Sequence, residues 1–378
     1  MLVDLRATLP TLLEQLNSPT YPATSHRLTS AYNTLSHFTG YLLRSMDSPS
    51  SDLPWTISPD LLLHLRKSIS ETLSLTTEYL RDRWDAAVAG AMGLHPDARA
   101  GSVSATTTTT TPNNPGTGAA AGTTTTTTTS HPALVWDSAS ASHSAAADPL
   151  VLAAVRALAL WIREDDNELL RKEVSGLADM LVELYQRSEM ATATATATKE
   201  NGEGKGRLDF RRAVLVAFEG VVTERKGREA VLTNGGWEVL VGDLLGGVLE
   251  RLGAEGGSDG QGEEEEAARG VEIVRVLLQI AEEETPGTRE AWMDVVTKVA
   301  AWDVPEGTQP PVVVECQVAV LQLVTTLLVN AHPGMQKRYV HSTSAVLGVA
   351  NRLRGRVKGD KALEEELEDV VGTLAALR

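Results

Sequence analysis

The stretch REAVLTNGGWEVLVGDLL, residues 228–245, decides the fold class. Asn-Gly between apolar runs is a strong signal for a β-hairpin, but it can also end one helix before another begins. The downstream apolar residues are spaced +4, +3 and +4, as on one face of a helix: Trp237, Val241, Leu244 and Val248. Because a strand needs a period of two, we predict a helix–helix junction. Asn234 or Gly235 should adopt the left-handed conformation, and Gly236 should let the next helix start close by.

The other ordered segments have the same helical period, and we predict no β-sheet. Hydrophobic residues make up 42% of the chain but aromatic residues only 4%, so the core must consist of Leu, Val and Ala, which favours helices. Ser58 and Pro59 form a typical helix start. Helices are predicted at about 2–17, 26–46, 59–92, 149–164, 167–187, 208–224, 226–233, 237–252, 269–284, 287–303, 312–331, 335–354 and 360–377.

The helix pair at 149–187 indicates how the helices are layered. Asp148 and Pro149 open a first helix that is apolar nearly all round, which is typical of a helix buried between layers. The second helix has a single apolar face, formed by Leu170, Val174, Leu177, Leu181 and Leu184. A buried helix followed by an amphipathic one is the layering of a solenoid. The predicted fold is all-α, an armadillo/HEAT-like α-solenoid with long disordered loops.

Low-complexity segments divide the chain. We predict an N-terminal helical segment at 1–100, a disordered Thr/Ala/Gly-rich loop at 101–147, and armadillo-like repeats at 148–378. Flexible loops are predicted within the repeats at about 189–207 and 253–269. The acidic run Glu263–Glu266 is either a docking tail for a basic partner or a solvated loop, and the solvated loop is the commoner case.

Charge and cysteine content exclude some classes of function. A net charge of −16 repels phosphate backbones and anionic membrane surfaces, so nucleic acid is not expected as a partner. The single cysteine, Cys316, excludes an internal disulfide and fits a reducing, cytoplasmic location. The N-terminus does not have the pattern of a signal peptide.

One segment, residues 312–329, is apolar enough to suggest a membrane helix. It carries a narrow polar stripe of Glu315, Ala319, Gln322 and Thr326. A spanning helix needs about 20 residues with few polar groups. We therefore predict a core helix of a soluble protein and no integral membrane segment.

The sequence shows no catalytic, cofactor-binding or metal-binding signature, and no cofactor is expected. The eight histidines form no pair at a ligand spacing, and NGEGKGR at 201–207 lacks the preceding strand that a phosphate loop needs. REDDNE at 163–168 groups carboxylates that could bind a metal, although helix capping is the better explanation. Cys316 could be a nucleophile, but its apolar helix face favours a core residue.

One basic spot is a candidate for protein binding. Arg171 and Lys172 are adjacent cations on an otherwise acidic chain, and such spots steer acidic partners. The alternative is that both side chains are simply solvated.

Two blocks resemble the neurochondrin family. Residues 148–185, DPLVLAAVRALALWIREDDNELLRKEVSGLADMLVELY, contain the family's Trp-ended helix followed by LRKEV at Leu170–Val174. Residues 79–99, YLRDRWDAAVAGAMGLHPDAR, are similar to fungal members, and the chain looks like the C-terminal part of the family. The resemblance implies a helical, armadillo-like, cytosolic protein without enzyme activity.

We therefore expect a non-enzymatic scaffold or adaptor that binds other proteins. One alternative is a chaperone-associated or complex-assembly factor on the same fold. A more distant one is a cryptic cysteine-dependent enzyme that uses Cys316. No particular partner or oligomeric state follows from the sequence.

The Thr-rich tract gives the first testable prediction. Deletion of residues 103–130 should lower the melting temperature by no more than a few degrees, which corresponds to about 1 kcal/mol or less in a chain of this size. Limited proteolysis should cleave first between 101 and 147. A larger fall in melting temperature would show that the tract is structural.

Overall fold

The computed structural model describes residues 1–47, 58–89, 91–92, 135–136, 145–197, 208–253, 260–285, 287–304, 309–357 and 359–378. These residues belong to two compact units. Unit 1 comprises Met1–Phe38, Pro49–Ala154 and Thr194–Leu208, and unit 2 comprises Thr39–Ser48, Val155–Ala193 and Asp209–Arg378.

Unit 1 is built on three helices. They are α1 (Leu2–Leu12, followed by a 3₁₀ turn at Leu13–Gln15), α2 (Tyr21–Asp47, whose last residues belong to unit 2) and α3 (Pro59–Val88). Helix α1 packs against α3. Two residues of β1 (Ala91–Met92) pair antiparallel with β2 (Val135–Trp136). The expectation of no sheet is corrected by this pair, which is far too short to alter the all-α class.

Unit 2 contains most of the helices, and α4 enters it from unit 1. They are α4 (Pro149–Glu164), α5 (Glu168–Ser175), α6 (Ala178–Ala197), α7 (Arg211–Val221), α8 (Arg225–Thr233), α9 (Gly236–Gly242), a π-helix (Asp243–Leu249), α10 (Glu250–Gly253), α11 (Gly260–Glu283), a 3₁₀ turn (Glu290–Trp292), α12 (Met293–Ala300), α13 (Pro311–Val329), α14 (Pro333–Arg338), α15 (Val340–Leu353) and α16 (Lys361–Ala376).

The helices of unit 2 pack side by side in chain order. Helix α7 packs on α11, α11 on α13, and α13 on α16, while α5 packs on α8 and α12 on α15. The helices of the first row begin at Arg211, Gly260, Pro311 and Lys361, about 50 residues apart, close to the period of armadillo and HEAT units. The predicted all-α fold is confirmed, and helices packed on helices agree with a helical-repeat architecture.

The Asn-Gly junction is a helix–helix connection, as predicted. Helix α8 ends at Thr233, Asn234 is its C-cap, and Gly235 adopts the left-handed conformation with φ +75°. A Cβ on Gly236 would lie 2.5 Å from Val231 Cγ1. Only glycine therefore lets α9 begin this close to α8.

Several predicted boundaries differ from the structure. The predicted helix 167–187 is two helices, α5 and α6, and α6 continues to Ala197 through part of the predicted loop at 189–207. Helix α11 begins at Gly260, within the predicted loop at 253–269, because glutamates form helices well and favour the first turns. Of the loop predicted to be disordered at 101–147, residues 101–134 and 137–144 lie outside the described residues. The prediction is wrong for Val135–Trp136, which form β2, and for Ala145, which is buried.

Helix α4 provides a test of the layered core. Leu158 is 1% exposed, so Leu158→Ala should leave a cavity and lower the free energy of unfolding by about 2–5 kcal/mol. Leu169 on α5 is 67% exposed, and Leu169→Ala should change the free energy of unfolding by less than about 0.5 kcal/mol. Urea denaturation of both variants measures the difference. Equal effects would contradict the burial of α4.

Candidate functional site

The first turns of α3 expose several large apolar side chains. We call residues 58–67 the leucine segment. The N-terminus of this helix is stabilised, because the Ser58 side chain accepts a hydrogen bond from the Leu61 amide and Pro59 occupies the first turn. Leu61, Leu62 and Leu63 are nevertheless 54%, 40% and 63% exposed. Three consecutive exposed leucines on a formed helix require an explanation.

Leu62 extends an apolar stripe that is buried further along α3. Leu62, Ile69 and Leu73 share one helix face, and Ile69 and Leu73 are 1% and 0% exposed. The polar contacts from α1 also begin late on α3. Arg6 binds Ser68 Oγ and Thr72 Oγ1 at 2.9 Å. Among the described residues, the polar contacts from α1 therefore begin near Ser68, beyond the exposed leucines.

Charged side chains border the leucine segment unevenly. Arg66 and Lys67 are exposed at its end, and Asp60 is exposed in its first turn. Lys67 Nζ lies 4.0 Å from a Glu71 carboxylate oxygen, a loose contact for a side chain that is 77% exposed. The exposed leucines are thus flanked by charges of both signs, Asp60 and Glu71 as well as Arg66 and Lys67.

A buried polar network joins three elements of unit 2. Asp243, at the start of the π-helix, is fully buried and accepts hydrogen bonds from Tyr185 Oη at 2.6 Å and Arg269 Nη2 at 3.1 Å. A Cβ on Gly247 would lie 2.4 Å from Asp243 Oδ1, so the glycine leaves room for this carboxylate beside the helix. Burial, together with the Asp243 charge, holds the pKa of Tyr185 well above its usual value, so the hydroxyl remains a proton donor.

Further charges around this network are paired with opposite charges. Arg211 binds both carboxylate oxygens of Asp209, at 2.8 Å from Nη2 and 3.1 Å from Nε. Burial opposes ionisation of Asp209, but the bonds from Arg211 outweigh it and lower its pKa. Glu266 pairs with Arg269, and with Arg251 at 2.5 Å. This arrangement fixes helix positions and indicates no reaction.

Unit 1 uses a similar tyrosine–aspartate contact. Tyr21 Oη donates to Asp148 Oδ2 at 2.7 Å, and Asp148 Oδ1 accepts the Leu150 amide at 2.9 Å. Burial raises the pKa of Asp148, and the hydrogen bond from Tyr21 opposes that shift. Asp148 therefore caps α4 as predicted and also holds Tyr21 in the core. The sequence predicted that Asp148 caps the helix but did not predict its hydrogen bond with Tyr21.

The two predicted binding residues occupy different environments on α5. Arg171 is only 12% exposed in its side chain, and its Nε donates to the Ile162 carbonyl oxygen at 3.3 Å. It ties α5 to the end of α4, which corrects the alternative that it is simply solvated. Lys172 is exposed. The structure thus separates a structural cation from a solvated one.

The REDDNE turn caps helix α5, although through a different residue from the expected carboxylates. Asn167 Oδ1 accepts the Leu169 and Leu170 amides, and Asp165 accepts Trp161 Nε1 at 2.9 Å. Within the residues that the structure describes, no group of three or more His, Cys, Asp or Glu side chains is arranged to hold a metal ion.

Cys316 lies in the core, as the helix pattern predicted. It is fully buried on α13, and its Sγ would lie 2.6 Å from a Cβ on Gly270, so α11 and α13 approach closely here. Burial, with a contribution from Glu315, raises the pKa of the thiol to about 12. The thiol therefore stays protonated at neutral pH, which is unfavourable for a nucleophile.

Helix α13 is the one helix among the described residues that is long and apolar enough to cross a membrane. In this structure 67% of its most apolar window is buried inside the protein. A core helix passes the same test of length and composition, so this feature is weak evidence for a membrane span.

Comparison with known proteins places the chain in a family. The family model described as Neurochondrin matches residues 1–330 of the 378, so the chain belongs to the neurochondrin family. This confirms the resemblance seen in the sequence. No curated protein and no solved structure matches the chain. The neurochondrin family is not a known enzyme family.

The Tyr185–Asp243 contact gives a prediction for unit 2. Tyr185→Phe removes a donor from a buried carboxylate and should lower the free energy of unfolding by about 1.5–3 kcal/mol. The control is Tyr339→Phe, on a partly exposed side chain, which should cost less than about 0.5 kcal/mol. Chemical denaturation provides both values. Equal costs would show that the Tyr185 hydroxyl does not stabilise Asp243.

Proposed function

We propose that this member of the neurochondrin family is a non-enzymatic, cytoplasmic helical-repeat scaffold that binds other proteins. The observation that carries the proposal is the exposure of Leu61, Leu62 and Leu63 on a formed helix. Large apolar side chains in adjacent exposed positions mark binding surfaces, because water disfavours them and a partner can cover them.

The energy available at this surface suits a specific but reversible contact. About half of each leucine is exposed, so covering it contributes roughly 1–1.5 kcal/mol per side chain. Association costs several kcal/mol in lost translational and rotational freedom. Three leucines therefore need further contacts around them, as in an interface with a few anchoring residues.

A catalytic role finds less support. The only cysteine has a buried thiol with a raised pKa, and the charged clusters of unit 2 are internally paired. The cysteine-dependent alternative would have to expose Cys316 from between α11 and α13.

Lys172 is a second proposed contact, beside the exposed Leu169 of the same helix. Arg171 supports it only indirectly, by holding α5 against α4. Because Arg171 is structural, substitution of Lys172 alone is the cleaner test of this spot. Lys226 on α8 is also solvent-exposed and serves as its control.

Affinity capture from cytosol with quantitative mass spectrometry tests the proposal. The double variant Leu61→Ser/Leu62→Ser should lose at least one reproducible set of partners by about tenfold, because both anchors become polar. Val88→Ser/Met190→Ser, on side chains that are 66% and 57% exposed, should retain them.

The identity and behaviour of the captured proteins decide between the hypotheses. A set dominated by chaperones would select the assembly-factor role. Lys172→Glu should weaken capture relative to Lys226→Glu if α5 contributes. Identical partner sets for all variants and the unaltered protein would contradict a binding role for these surfaces.

A further inference from the structure

We infer that Asn234 is a site of spontaneous covalent modification, at which the Gly235 amide nitrogen displaces ammonia from the Asn234 side chain. The product changes the junction between α8 and α9. The inference goes beyond the proposed function, because it concerns a chemical change in the chain itself rather than a partner. It rests on the Asn-Gly pair and on the geometry of the junction that contains this pair.

The reaction needs only the chain and water. The Gly235 nitrogen bonds to the side-chain carbonyl carbon of Asn234, and the side-chain amide leaves as ammonia, which carries away the proton of the Gly235 amide. Water then opens the resulting cyclic imide. Opening at the side-chain carbonyl gives aspartate. Opening at the main-chain carbonyl gives isoaspartate, in which the main chain runs through the former side chain.

The reacting groups are accessible at the end of α8. The Asn234 side chain is exposed, so water reaches it. Gly235 has no Cβ to obstruct the approach of the Asn234 side-chain carbon. Among the described residues, the atom nearest to the position of a Cβ on Gly235 is Glu238 Oε2, at 3.9 Å. The surroundings of the nucleophilic nitrogen are therefore open.

Two hydrogen bonds hold the reacting groups in place in the folded state. Asn234 Nδ2 donates to the Ala230 carbonyl oxygen at 2.8 Å, and the Gly235 amide donates to the Leu232 carbonyl oxygen at 3.2 Å. Both bonds belong to the last turn of α8, and the ends of helices fray. Opening of this one turn therefore frees the side chain and the nucleophilic nitrogen together, without unfolding of unit 2.

The junction has little room for the longer main chain of isoaspartate. A Cβ on Gly236 would lie 2.5 Å from Val231 Cγ1 and 2.9 Å from the Val231 carbonyl oxygen, so the chain passes directly against α8. An added methylene before this point displaces the start of α9. Trp237 follows at once, and its ring is stacked on Trp292 with 4.0 Å between the centroids. Isoaspartate at 234 should therefore disturb this stack.

The aspartate product differs from isoaspartate in its effect on the junction. It leaves the length of the main chain unchanged. It replaces the Nδ2 donor with an oxygen that faces the Ala230 carbonyl oxygen, and it places a negative charge at the C-terminus of α8, where negative charge is unfavourable. The variant Asn234→Asp therefore isolates the effect of the charge from the effect of the longer main chain.

Peptide mapping of the full-length protein tests the reaction. The protein is incubated for several weeks at physiological pH in water labelled with heavy oxygen, which marks products formed during the incubation. Mass spectrometry should find labelled aspartate and isoaspartate at position 234. Asn234→Gln should give no product there, because its longer side chain disfavours ring closure.

Two other asparagines provide internal comparisons. Asn201–Gly202 is the second Asn-Gly pair of the chain and lies outside the described residues, so it reports the reaction at the same dipeptide in another part of the sequence. Asn351 is exposed on α15 but is followed by Arg352, whose side chain obstructs the attack. It should remain asparagine.

Low concentrations of urea identify the opening that permits the reaction. Fraying of one helical turn exposes little surface, so the rate at Asn234 should change by less than about twofold below the unfolding transition. A reaction that required global unfolding would instead accelerate steeply with urea.

The modified protein carries an additional negative charge, and anion-exchange chromatography separates it from the unmodified protein. A fraction that the peptide map shows to contain isoaspartate should melt about 2–4 °C lower and have a shifted tryptophan emission. Asn234→Asp should keep the emission of the unmodified protein, because its main chain is not lengthened.

The inference is overturned if Asn234 remains asparagine in the native protein, since the folded junction then prevents the reaction. It is also overturned if the rate at Asn234 rises steeply in low urea, or if the isoaspartate fraction melts and fluoresces like the unmodified protein. Capture of cytosolic partners by the leucine segment is a separate measurement, so none of these results decides the proposed function.

Discussion

The structure depends on one constraint, which is that the apolar face of each helix must be covered by another helix. Aromatic residues are scarce, so the core relies on many contacts between Leu, Val and Ala side chains rather than on a few large ones. The close approach of α11 to α13 at Gly270 and of α9 to α8 at Gly236 serves this requirement. The leucine segment departs from it, and the proposed binding role follows from that departure.

Buried polar contacts determine how the helices are positioned. Apolar packing alone tolerates sliding and rotation of neighbouring helices, whereas Asp243 is satisfied only when Tyr185 and Arg269 both reach it. Asp148 imposes the same restriction on Tyr21 in unit 1. Each aspartate is costly to bury alone, so these contacts select one arrangement among those that the apolar faces would accept.

Local patterns predicted the helices well, because helical period and end signals lie within a few residues of each other. The Asn234–Gly235 junction, the Asp148 cap and the burial of Cys316 all followed from such signals. The π-helix was not predicted, and the partner of Asp243 at its start, Arg269, lies on another helix.

The candidate surface was harder to predict for a related reason. The sequence DLLLHLRK reads as the start of an amphipathic helix, and nothing in it tells which part of the apolar stripe α1 covers. Arg171 shows the reverse case, since a cation on the polar side of α5 proved to be a nearly buried donor to Ile162. The exposure of a side chain depends on neighbours that are distant in sequence, and a helical wheel of one segment does not show these neighbours.

Hydrogen–deuterium exchange of the leucine segment tests the central claim most directly. In the free protein, amides at 62–67 should exchange faster than those at 69–80, because the leucine side chains at that end of α3 are exposed whereas Ile69 and Leu73 are buried. With a captured partner bound, the exchange at 62–67 should slow while that of 69–80 stays unchanged. Slow exchange at 62–67 in the free protein, or no change on partner binding, would contradict the account.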